Sequence, residues 1–127
     1  MGNKNVFTNY SKYYKKQNYP NQIYINGEIK YTINYSYYFN QTENSVELIW
    51  NKSIDNCSGM FYQCSDIIEI DLSKFNTSNV TNMNNMFYDC WKLSILNLSN
   101  FETSNVIYMN NMFRGCSSLS TLDLSNF

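Results

Sequence analysis

Residues 76–101 read NTSNVTNMNNMFYDCWKLSILNLSNF, and residues 102–127 read ETSNVIYMNNMFRGCSSLSTLDLSNF. Laid over one another without a gap, they agree at 17 of 26 positions. One step further back, residues 50–75 (WNKSIDNCSGMFYQCSDIIEIDLSKF) keep the same skeleton. Met60, Met86 and Met112 align, as do Phe61, Phe87 and Phe113, then Cys64, Cys90 and Cys116, and the closing Phe75, Phe101 and Phe127. Self-similarity at a fixed period of roughly 20–50 residues marks a chain of stacked units, none of which can bury its apolar side alone.

Two spacings alternate within each unit. Leu93, Leu96, Leu98 and Phe101 recur as Ile67, Ile70, Leu72 and Phe75 and as Leu119, Leu122, Leu124 and Phe127. The period of two at the centre of this run predicts a short strand with one buried face. Val80, Met83, Met86, Phe87 and Cys90 follow each other at intervals of three, three, one and three. That spacing predicts one face of a helical stretch, with Thr77, Ser78 or Asn79 as its N-cap. The expected fold is therefore α/β, a leucine-rich-repeat solenoid of 26-residue strand-plus-helical-turn units with parallel strands. Phe stands where that repeat usually has Asn or Cys.

Ahead of the repeats, Asn26-Gly27 between alternating apolar residues predicts a small β-hairpin that caps the stack. Val46 to Trp50 has the same alternation as Ile70-Asp71-Leu72 and predicts a degenerate first strand. The chain thus divides into a polar flexible tail at 1–21, the hairpin and capping strand at 22–49, and repeats at 50–127, split 50–75, 76–101 and 102–127. The last unit stops after a strand motif, so a C-terminal cap is expected to be missing, with self-association through the uncapped strand.

Composition narrows the function. Nine basic against ten acidic residues leave a net charge of −1, too small a field to gather nucleic acid or an anionic membrane. No run approaches the roughly 18 apolar residues of a membrane span, and residues 1–6 show no apolar signal-peptide core. There is no His, so the Ser/His and Cys/His nucleophile pairs cannot be assembled. The four glycines form no phosphate-cradling loop. No catalytic residue, cofactor or metal is expected. Cys64, Cys90 and Cys116 share one repeat position and predict a buried column of thiols; without His or a C-x-x-C pair they do not predict zinc. Lys12, Lys15 and Lys16 among Tyr10, Tyr13 and Tyr14 are read as solubilising the tail. The abundant Asn is attributed to AT-rich codons.

The phrases NTSNVTNMNNMFYDC and LSTLDLSNF resemble the repeats of the bacterial surface antigen (BspA-like) leucine-rich-repeat proteins, over about residues 50–127. The resemblance implies a cell-surface or secreted protein that adheres to host or matrix proteins. A partner would meet the strand face turned away from the core, where Glu69, Ile95 and Thr121 form one row and Asp71, Asn97 and Asp123 another. Trp91 and Tyr108 break the repeat pattern and are candidate aromatic contacts. The expectation is a non-enzymatic module that binds a protein. The alternatives are a fragment of a larger repeat array with a structural role only, and an intracellular scaffold or effector.

Overall fold

In the computed structural model, which describes residues 2–6, 16–39 and 41–127, seven short strands and one 3₁₀ turn carry the regular structure. Strand β1 (Gly2–Asn5) lies antiparallel to β4 (Ser36–Phe39). A three-stranded antiparallel sheet runs in the order β3 (Glu28–Lys30), β2 (Gln22–Ile25), β5 (Val46–Ile49). Strands β6 (Glu69–Asp71) and β7 (Ile95–Asn97), one repeat apart, pair in parallel. Asn26 and Gly27 both take positive φ, 52° and 83°, and turn the chain from β2 into β3. That conformation suits Asn-Gly and matches the right-handed twist of the flanking strands.

The α/β expectation, a leucine-rich-repeat solenoid of strand-plus-helical-turn units, is overturned. The described residues contain no α-helix, most of the strand pairing is antiparallel, and the parallel sheet has two strands only. The protein is small and all-β, with turns where helices were expected. The backbone shows why. Gly59, Asn85 and Asn111 have φ of 66°, 56° and 56°, and Gln63, Asp89 and Gly115 have φ of 58°, 57° and 80°. Two left-handed residues four apart in each unit cannot belong to a right-handed helix.

The amides of this stretch alternate in direction. Those of Gly59, Phe61 and Gln63 donate to the carbonyls of Asn84, Met86 and Tyr88 in the next unit. Between them, Met60, Tyr62 and Cys64 close tight turns onto the carbonyls of Cys57, Gly59 and Phe61. The second unit repeats the pattern against the third, from Asn85, Phe87 and Asp89 to Asn110, Met112 and Arg114. A chain that turns every three residues buries the same side chains as a helix face, so the spacing alone misleads.

The core lies between these turns and the strands. Val80, Met83, Met86, Phe87, Cys90 and Leu93 of the middle unit are fully buried. Phe87 stacks between Phe61 and Phe113 with 5.6 Å to each ring centre. A second column runs from Phe75 through Phe101 to Phe127, and Trp50 sets its edge on Phe75 at 4.9 Å.

Three smaller expectations also change. Val46–Ile49 is a strand, but it pairs antiparallel with β2, Leu48 opposite Ile23, rather than extending a parallel stack. No strand forms at residues 121–124. The tail expected at 1–21 is partly ordered: Gly2–Asn5 forms β1, Val6 is buried, and Asn18 in the 3₁₀ turn (Lys16–Asn18) donates from Nδ2 to the carbonyl of Asn56. Tyr10, Lys12, Tyr13, Tyr14 and Lys15 lie outside the described residues. Lys4 and Lys92 both pair with Asp66, at 3.1 and 2.8 Å, and tie β1 to the repeats.

Candidate partner-binding face

Each strand motif ends in an Asp or Asn followed two residues later by Ser. Asp71 Oδ1 accepts the Ser73 N–H at 2.9 Å, Asn97 Oδ1 that of Ser99 at 3.1 Å, and Asp123 Oδ1 that of Ser125 at 2.9 Å. Such Asx turns end a strand by giving the backbone a side-chain partner. The same bonds, from the backbone and hydroxyl of Ser73 and Ser125, hold the Asp71 and Asp123 carboxyls below the usual carboxylate range. Three residues read as partner contacts therefore also hold their own turns.

Register in the β6–β7 pair sets Glu69 beside Ile95 and Asp71 beside Asn97, all on the outward face. Ile95 is 54% exposed, and Ile68, just before β6, is 60% exposed. Thr121 and Asp123 do not continue the ladder. Between them and β7 lies an open cleft of about 380 Å³, lined by Ser94, Ile95, Leu96, Thr121, Leu122 and Asp123. Six of the eight candidate residues thus share one face and its cleft. Trp91, on a turn, and Tyr108, at an isolated bridge, are both more than half exposed and lie outside these strands. The Trp91 carbonyl accepts the Ser117 hydroxyl, and Tyr108 bridges Asn82 in the neighbouring unit.

The thiol column is core. All four cysteines are free, and only Cys116 is partly open to solvent. Cys90 donates from Sγ to the Phe61 carbonyl at 3.0 Å, and Cys116 to that of Phe87 at 3.1 Å. Burial, then the neighbouring Asp55, pushes the Cys57 thiol up to about 12; burial, then Cys116, does the same to Cys90, and burial raises Cys64 well above the ordinary value. A thiol held protonated is a poor nucleophile and a poor metal ligand. Among the described residues no group of three or more His, Cys, Asp or Glu is placed to hold a metal ion, and no helix is long and apolar enough to cross a membrane.

Sequence reasoning missed several participants. Ile68 precedes the strand motif and carries no repeat signal, since Ser94 and Ser120 occupy its place in the other units. The Asn residues are not mere composition. Asn100 and Asn126 donate to the carbonyls of Ser73 and Ser99, Asn105 to that of Ser78, and Asn79 to the Ser53 hydroxyl, each across one repeat junction. Their recurrence at fixed repeat positions was the available signal. Tyr62 and Tyr88 stack at 5.0 Å, and Arg114 lies over Tyr88 at 5.6 Å, because one repeat position holds all three.

A family model described as a Mycoplasma protein of unknown function, DUF285, matches residues 31–127, from just after β3 through the third repeat. No curated protein and no solved structure matches the chain.

Proposed function

The chain belongs to the DUF285 family of Mycoplasma proteins, and from the repeat face that this match spans we propose a non-enzymatic module that binds another protein. The observation that carries the reading is the outward face of β6 and β7. There Ile95 stands exposed among Glu69, Asp71 and Asn97, and Ile68 is exposed just before β6. An apolar centre with a polar rim is the arrangement of a contact surface. The cleft beside Ile95 adds relief to an otherwise flat ladder. The wording of the repeats, which resembles the BspA-like surface antigens, supports adhesion to a host or matrix protein at the cell surface.

The test is binding of the purified chain to a panel of purified matrix proteins by interferometry, beside two lysine variants. Ile95→Lys charges the centre of the face, whereas Ile107→Lys alters a still more exposed residue outside it. Binding to at least one matrix protein that Ile95→Lys abolishes and Ile107→Lys preserves is the expected result. No binding to any of them, or binding indifferent to Ile95, overturns the proposal.

A further inference from the structure

The edge of β7 has a property that the outward side chains do not reveal. The Ile95 N–H donates to the Ile68 carbonyl at 3.2 Å, and the Asn97 carbonyl accepts the Leu72 N–H at 3.0 Å. In a parallel ladder alternate residues turn their backbone groups to opposite sides. The N–H and C=O of Leu96 therefore point away from β6, toward residues 121–123, where no strand forms. They meet no partner among the described residues. Side-chain bonds cross this same junction on either side, Ser117 to the Trp91 carbonyl and Asn126 to the Ser99 carbonyl. The cleft is thus a local opening in a stack that is otherwise fastened.

Its surroundings are mainly acidic. Asp123 lines the cleft, while Glu69 and Asp71 stand on the neighbouring strand. Lys74 is the basic group that faces Asp71. Ile95, Leu96 and Leu122 supply its apolar lining, beside Ser94 and Thr121. A volume of about 380 Å³ admits an aliphatic side chain with room for backbone beside it.

We infer that this cleft takes an extended basic segment of the partner, which adds as a strand along β7, seats an aliphatic side chain over Leu96 and Leu122, and lays its cationic side chains toward Glu69, Asp71 and Asp123. The inference rests on the reading of this face as a binding surface and names the chemistry of what binds there. Main-chain hydrogen bonds to Leu96 supply affinity, and the carboxylates choose the sign of the ligand.

The full chain tests it against a short blocked peptide that alternates lysine with valine, with a glutamate–valine peptide as the control. The lysine peptide is expected to bind, more weakly as salt rises, and to slow exchange of the Leu96 amide while the Ile95 amide, already bonded, stays unchanged. The triple variant Glu69→Gln, Asp71→Asn, Asp123→Asn is expected to lose about tenfold or more in affinity. Asn97 already occupies the Asx position in the middle unit, so the turns survive these changes. Equal binding of the glutamate peptide, or an unprotected Leu96 amide at saturation, overturns the inference. Should a matrix protein bind through Ile95 with full affinity for the triple variant, the binding face stands and the basic-strand inference falls. If the lysine peptide protects Leu96 while no matrix protein binds, the inference stands and the adhesion reading falls.

Discussion

At the scale of single residues, the position shared by Gln63, Asp89 and Gly115 shows how a repeat tolerates substitution only within limits. All three are left-handed, but Gly115 has the widest φ, 80° against 58° and 57°. A Cβ built on Gly115 would run into the Asp89 side chain and stand 3.0 Å from the Asp89 Cα. Gly115→Ala is therefore expected to destabilise by about 1–2 kcal/mol from the left-handed backbone alone, with overlap adding to it. Asp89→Gly in the same chain removes the side chain that the new methyl meets, so the double variant should recover part of the loss. Urea midpoints of the two single variants and the double variant give the coupling. Additive losses would show that the Asp89 overlap is not the cause. None of this was legible in sequence, because Gln, Asp and Gly at one repeat position look like ordinary surface variation.

At the scale of elements, the units are joined by a few buried polar contacts as well as by stacked rings. Thr77 is 1% exposed; its Oγ1 donates to the Glu102 carbonyl at 3.1 Å and accepts the Glu102 N–H at 2.8 Å. This residue was read as a possible helix cap, and with no helix to cap it serves as a clasp between the second and third units. Thr77→Val keeps the shape and leaves the Glu102 backbone without those partners, an expected cost of about 1–3 kcal/mol. The same change at half-buried Thr103 should stay within about 0.5 kcal/mol. Chemical denaturation of both variants checks this, and equal losses would remove the clasp from the argument. The strands show the same mixture of foresight and error. Hairpin β2–β3 was readable because Asn-Gly makes its own turn, whereas the partner of β5 is set by contacts more than 20 residues away in sequence.

At the scale of the molecule, the thiol column couples folding to pH. An unfolded cysteine here titrates near 9.0, whereas burial pushes folded Cys57 and Cys90 up to about 12 and raises Cys64 well above 9.0 as well. The folded chain therefore keeps protons that the unfolded chain releases. The stability this contributes is whole below pH 9.0 and is lost as pH rises from there toward 12. Each fully shifted thiol tilts the curve by up to about 1.4 kcal/mol per pH unit in that window. Urea midpoints at about pH 8 and about pH 10.5 should fall steeply for the parent chain and less steeply for Cys90→Ala. An equal fall in both would remove Cys90 from the account. The column itself was legible, since three cysteines at one repeat position in a chain without His have little to do but pack.

The sequence by itself determined the units, their 26-residue register, and most of the side chains buried in the first two units, since each apolar row needs the next copy to cover it; Leu124 and Phe127 in the third unit stay exposed. It also placed Glu69, Asp71, Ile95 and Asn97 on one face, because side chains alternate along any strand. Only the tertiary structure decided where the backbone amides go. The Gly59 amide could have served a helix of its own; the Asn84 carbonyl of the next unit takes it instead, and the left-handed residues on either side keep the chain in turns. Burial patterns report which side chains leave water and carry no record of which carbonyl an amide chooses. For the same reason the opening beside Leu96 could not be foreseen, because Leu122 follows the pattern of Leu96 and Ile70 while its backbone does not join theirs.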